Sequence, residues 1–98
     1  MEVTGVKIYP TNSTGETRAY ADITFDNCFC IRDFRLLRKP TGYVLFMPEV
    51  KQKDGSFREV AHPTTAETLK MIEAAVIVEY TRLTGERFSK GDLNDPSR

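Results

Sequence analysis

Three groups of residues in this chain have side chains able to do chemistry. Cys28 and Cys30 stand in a C-x-C spacing. On a strand, residues i and i+2 share a face, but their Cα atoms lie about 7 Å apart, poor geometry for a disulfide. A structural zinc site needs about four ligands, and the chain offers one histidine and no second cysteine pair. Two small reduced side chains on a sheet face is therefore the expectation. His62, the only histidine, is the natural acid–base candidate. No G-x-S-x-G elbow accompanies it, and neither cysteine has an identifiable histidine and carboxylate partner. Next to Pro63, His62 reads as a structural corner that satisfies backbone groups, with ligand contact as the second reading. The acids form no paired motif, and there is neither a Walker loop nor a dinucleotide fingerprint. The sequence predicts no enzyme, no metal site and no cofactor.

The third group is basic. Lys51, Lys53 and Arg58 flank Asp54-Gly55, and Arg35, Arg38 and Lys39 lie on the preceding connection. Lysines on a protruding hairpin reach phosphates, and Phe57 or Tyr43, if exposed, could stack on a base. Taken singly, each lysine also fits a solvated edge that blocks sheet-to-sheet aggregation. Glu49 and Glu59 dilute the patch. The whole chain has 14 basic and 14 acidic residues. Binding by phosphate neutralisation thus requires the cations to be gathered on one surface.

The elements that must position these residues can be read from pattern. Ninety-eight residues, 40% apolar and 29% charged, describe one soluble domain. No run approaches the roughly 18 apolar residues of a membrane-spanning helix. Met1-Glu2-Val3-Thr4 lacks the basic start and apolar core of a signal peptide, so the cytoplasm is the expected location. Val3 to Tyr9 is β-prone and ends at Pro10. Ala19 to Asp26 alternates, with Ala19, Ala21, Ile23 and Phe25 on one face and Tyr20, Asp22, Thr24 and Asp26 on the other. Asp26-Asn27 fits a two-residue turn. Cys28 to Ile31 continues as the partner strand, with Phe29 and Ile31 as core candidates. "RDFRLLRK", Arg32 to Lys39, is ambiguous between strand and helix and is read as that strand extended through a bulge. Tyr43 to Met47 is continuously apolar and is expected to be an interior strand. Pro48 closes it, Asp54-Gly55 turns a hairpin, and Phe57 to Val60 returns.

After Pro63 the period changes. Thr64 and Glu67 match a capping box, and a helix is predicted to about Leu83, stopped by Thr84-Gly85. Leu69, Ile72, Val76, Tyr80 and Leu83 form one apolar stripe. Met71, Ala74, Ala75 and Val78 form a weaker one nearly opposite, which suggests burial against a second subunit; scattered exposed apolar residues are the second explanation. The predicted fold is α+β: an antiparallel sheet of hairpins followed by one main C-terminal helix. The domain is expected over residues 1–84, with 85–98 as a polar, mobile tail.

Together these pieces resemble a known family. "MEVT" at the start, "R-A-x-A-x-I-T" from Arg18 to Thr24, Asp33 with Arg35, Gly42, Met47-Pro48, Asp54-Gly55, Phe57-Arg58, Ala61-His62-Pro63 and "A-V-x-x-E-Y-x-R-L" from Ala75 to Leu83 fall in the order of the stage V sporulation protein G (SpoVG) family. The resemblance covers about residues 1 to 83. It implies a small cytoplasmic regulator of septation and sporulation that binds DNA, and RNA in some members, and that dimerises through its sheet. Two positive hairpins on one duplex would suit that symmetry. Arg35, Lys51 and Arg58 carry over as nucleic-acid-binding residues; Lys53 and Lys70 join them on charge and position. No membrane or small-molecule partner is implied. Two departures stand out. The family typically has serine and basic residues after Met-Pro, where this chain has Glu49-Val50-Lys51. It also tends to carry arginine and lysine where this chain has Leu69 and Met71. The alternative is a dimeric protein-interaction module of the same fold that has lost nucleic-acid binding.

Overall fold

The computed structural model describes residues 1–12 and 15–85; the expected tail beyond Gly85 lies outside them. Four strands, β1 (Val3–Pro10), β2 (Thr17–Phe25), β3 (Phe29–Lys39) and β4 (Gly42–Phe46), form an antiparallel meander in the order β1-β2-β3-β4. A separate two-stranded ribbon follows, β5 (Glu49–Lys51) with β6 (Phe57–Glu59), and then one helix, α1 (Ala66–Thr84). The α+β expectation holds.

The alternation of β2 does what it predicts. Ala19, Ala21, Ile23 and Phe25 are all buried on the face that α1 covers, joined there by Ile8, Phe34, Leu36, Tyr43 and Leu45. From α1 come Ile72, Val76, Ile77 and Tyr80. Tyr43 and Tyr80 meet edge to face, ring centres 5.9 Å apart. At this scale each fully buried aliphatic or aromatic side chain contributes about 1.5–3 kcal/mol relative to exposure.

β3 has the bulge that "RDFRLLRK" suggested. Ile31 faces Ile23 and Phe34 faces Ala21, so two residues of β3 oppose the single Asp22. Asp33 takes the left-handed conformation, φ 70°, and its N–H donates to Asp22 Oδ1 at 3.3 Å. The extra residue lets Ile31 and Phe34, three apart in sequence, face the same core.

Several expectations are corrected. The turn after β2 is longer than two residues. Asp26 and Asn27 both have positive φ, and Cys28 donates its N–H to Phe25 O at 3.0 Å before β3 begins at Phe29. Cys28 thus belongs to the turn and not to a sheet face. Phe29 is not core: it is 62% exposed at the open end of the sheet. β4 is an edge strand rather than an interior one: among the described strands it pairs with β3 alone, and its run is apolar because Tyr43, Leu45 and Met47 join the core while Arg35 lies over Phe46 on the other face. Thr65, not Thr64, caps α1, its Oγ1 accepting from Thr68 N at 3.1 Å. Leu83 leaves the buried stripe and Ile77 enters it, as does Glu73. Of the second stripe, Ala74, Ala75 and Val78 lie beside Val3 to Val6 of β1, with Val78 mostly exposed. Gly85 ends the helix at φ 77°, donating to Thr81 O at 2.9 Å.

Candidate nucleic-acid interface

The ribbon is an arm. Every residue from Glu49 to Val60 is exposed. Its tip is tightly knit: Ser56 N and Oγ donate to Asp54 Oδ1 at 2.9 and 2.6 Å, Gln52 N donates to Ser56 O at 2.7 Å, and Gly55 turns at φ 91°. The Ser56 hydroxyl, with the Ser56 backbone N–H, holds the Asp54 carboxyl below the ordinary aspartate range. A braced turn presents Lys53 at its end.

The pairing register decides which cations lie together. Glu49 faces Glu59, Val50 faces Arg58, and Lys51 faces Phe57. Directly opposed residues share a face and neighbours alternate. Lys51 therefore sits on the ribbon face of Phe57 and the two glutamates, while Arg58 projects from the other face with Val50. The Lys51–Phe57 face joins the solvent side of the main sheet: Phe57, Glu49, Tyr20, Arg35 and Phe46 line one shallow cleft of about 230 Å³.

Arg35 is on that solvent side, away from α1. Its guanidinium carbon lies 4.8 Å from the Phe46 ring centre, and its Nη2 lies 3.9 Å from Glu49 Oε1. Arg38 and Lys39 end β3 differently. Arg38 lies over the Tyr43 ring at 4.8 Å, and Lys39 reaches Glu16 at 3.8 Å. Lys70 is exposed on α1, on the opposite layer from Arg35. A single chain thus brings Arg35, Lys51 and Phe57 to one side, adds Lys53 at the tip and Arg58 on the reverse of the arm, and leaves Lys70 behind. Tyr43, only 1% exposed, is excluded from stacking, whereas Phe57 at 62% is available. Sequence reasoning missed Tyr20 and Phe46 as neighbours of Arg35. The signal for Tyr20 was an aromatic residue at an outward position of a cleanly alternating strand.

The remaining candidates are placed as follows. His62 is exposed, its Nδ1–H donating to the Pro63 carbonyl at 3.1 Å, which fits the corner role. It borders an apolar hollow of about 240 Å³ with Phe25, Phe34, Met47 and Ile72. Cys28 and Cys30 are exposed thiols. Among the described residues, no three His, Cys, Asp or Glu side chains are placed to hold a metal ion, and no helix is long and apolar enough to cross a membrane.

The model of the SpoVG family matches residues 1–82. The chain belongs to the SpoVG family. Relatives named "Putative septation protein SpoVG" include that of Anaeromyxobacter sp. (strain Fw109-5), 39% identical over 82 residues, covering 84% of each chain. That of Bdellovibrio bacteriovorus is 43% identical over 82 residues, covering 84% of this chain and 75% of its own. That of Clostridium acetobutylicum is 32% identical over 95 residues, covering 97% of this chain and all of its own. Within this SpoVG frame the two departures have physical readings. Glu49 is the acid that meets Arg35. Leu69 and Met71 are partly buried and pack against the core, so they act as packing residues beside the exposed Lys70.

Proposed function

We propose that the protein is a nucleic-acid-binding regulator without catalytic activity that acts in septation or sporulation control as a homodimer. The observation that carries the reading is the arm: Lys51, Lys53 and Arg58 are exposed on a braced hairpin, and none of them is engaged in an ion pair among the described residues. Uncommitted cations on a protruding ribbon are suited to phosphate contact. The names of the relatives support the septation role. For the dimer, the supporting feature is the second edge of β4, which pairs with no strand among the described residues and floors a groove of about 440 Å³ between Glu49 and Glu59 on one side and Pro63 and Leu69 on the other. A second copy of β4 would satisfy that edge and remove an aggregation-prone template. On one chain Arg35, Lys51 and the tip Lys53 then offer one side to nucleic acid, with Arg58 on the reverse of the arm and Lys70 apart on α1.

The test is fluorescence anisotropy with labelled DNA and RNA across a salt titration, with light scattering for the dimer. Binding at low salt that weakens in Lys51→Ala/Arg58→Ala supports the reading. Undetectable binding of any nucleic acid at low salt sinks it. That outcome would favour the protein-interaction module, for which the bare β4 edge is the supporting feature.

A further inference from the structure

The register of the three main-sheet pairings lines up four residues across the whole solvent face. Tyr9 of β1 stands opposite Tyr20 of β2, Tyr20 opposite Arg35 of β3, and Arg35 opposite Phe46 of β4. Directly opposed residues project to the same side, so Tyr9, Tyr20, Arg35 and Phe46 form one straight row, perpendicular to the strands and away from α1. Adjacent strands are about 4.8 Å apart, so the row spans about 14 Å. Tyr9 and Tyr20 are each 43% exposed. Large rings normally face inward; two side by side on the wet face of a sheet are a surface that awaits something flat.

The surroundings say what kind of flat ligand. Lys7 Nζ lies 5.5 Å from the Tyr9 ring centre, and Arg35 lies over Phe46. Cations thus flank the rings at both ends of the row, placed to meet phosphates between stacked bases. Phe57, 62% exposed, adds another ring across the cleft from Tyr20 and Arg35. Asp33 is exposed at the same cleft, and two other acids of this face are drawn to partners. Asp22 accepts from the Tyr9 hydroxyl at 3.2 Å and lies 4.0 Å from Arg32, and Glu49 meets Arg35. Attraction and repulsion therefore nearly balance, and phosphate attraction alone would hold a duplex weakly. A duplex also keeps its base faces inside, out of reach of a row of rings. A single strand offers both base faces and phosphates, and aromatic platforms on sheets bind it by stacking, with little dependence on base identity.

We infer that the solvent face of the sheet is a stacking platform for single-stranded nucleic acid, with Tyr9 and Tyr20 as base-stacking residues and Lys7 and Arg35 as phosphate contacts. The inference rests on the nucleic-acid reading above and names both the surface and the strand form.

The experiment uses the full chain with labelled oligothymidylate and oligouridylate of about 12 nucleotides, and a duplex of the same length. The protein contains four tyrosines and no tryptophan, and Tyr43 and Tyr80 are buried. Quenching of its intrinsic emission by unlabelled oligonucleotide therefore reports on Tyr9 and Tyr20. Tighter binding of single strand than duplex is expected, with emission quenched and a shallow salt dependence. Tyr9→Ala and Tyr20→Ala should each weaken single-strand binding about tenfold, while Tyr9→Phe and Tyr20→Phe keep the ring and the affinity. If the alanine variants do not fold, quenching in the wild-type protein decides the matter. If the protein binds nucleic acid and Lys51→Ala/Arg58→Ala weakens it, but tyrosine emission is unchanged and Tyr9→Ala/Tyr20→Ala binds normally, the platform is wrong while the broader reading stands. If neither single strand nor duplex binds at low salt, both fail together.

Discussion

Arg35 Nη2 lies 3.9 Å from Glu49 Oε1, and neither side chain is more than about a third exposed, 34% and 29%. An acid that enters the arm at its base thus sits against the cation most central to the solvent face. Removing the acid's charge should release Arg35 toward a polyanion. Glu49→Gln is expected to tighten nucleic-acid binding by about two- to fivefold, with a stability change below about 1 kcal/mol, the range of a solvent-screened pair. Anisotropy titrations of the two proteins at matched salt check it; an unchanged affinity would remove Glu49 from the account.

The helix cap gives a clean pair of variants. Thr65 accepts the Thr68 N–H, whereas Thr64 makes no such bond. Thr65→Ala should cost about 1 kcal/mol, which for a domain of this size lowers Tm by about 4–8 °C. Thr64→Ala should leave Tm nearly unchanged. Thermal unfolding followed by circular dichroism separates them.

Ile77 and Leu83 test the face that α1 buries. Ile77 is 2% exposed and Leu83 is 49% exposed. Ile77→Ala is expected to destabilise by about 2–5 kcal/mol, and Leu83→Ala by less than about 0.5 kcal/mol. Denaturant unfolding at constant protein concentration measures both. A large loss at Leu83 would mean that it is covered by a second subunit.

The Asp54 turn carries a pH signature. Its carboxyl is held below the ordinary aspartate range by the Ser56 hydroxyl and N–H, so the folded midpoint lies below that of the unfolded chain, about 3.9. A depressed carboxylate midpoint stabilises the turn fully above the unfolded midpoint and stops doing so as pH falls through the folded one. The Asp54 carboxyl resonance should accordingly titrate at lower pH than a free aspartate, and Ser56→Ala should bring it back up. The arm's amide signals should lose dispersion only in acid, not near neutrality.

How much of this could be read from sequence depends on whether the pattern stayed local. β2 was legible because Ala19 to Phe25 alternate without interruption, and α1 because its apolar positions recur and Gly85 closes it. β3 was harder: the Asp33 bulge breaks the two-residue period inside "RDFRLLRK", so the string matched neither strand nor helix well. The Tyr43–Met47 run looked interior because composition reports burial but not what does the burying. Here a helix above and Arg35 below leave the strand's edge open. For the candidate site, the cations of the arm were visible beside Asp54-Gly55. Their division between two faces was not, because that requires the Glu49–Glu59 register. The alignment of Tyr9, Tyr20, Arg35 and Phe46 depends on three successive registers, shifted at Asp33, and no local signal encodes it. Glu73, a carboxylate on the buried face of α1, was likewise hidden among apolar neighbours.

The Asp33 bulge has a further consequence. Ile31 and Phe34 both point inward with two residues between them, while across the sheet only Asp22 separates their partners Ile23 and Ala21. Deleting Asp33 would therefore restore plain alternation without exchanging inside for outside: Arg32 would face Asp22, and every later residue of β3 would keep its side. In most strands the loss of one residue inverts all that follows. Here the strand holds a spare letter, which bends it locally while the spelling of its two faces stays intact.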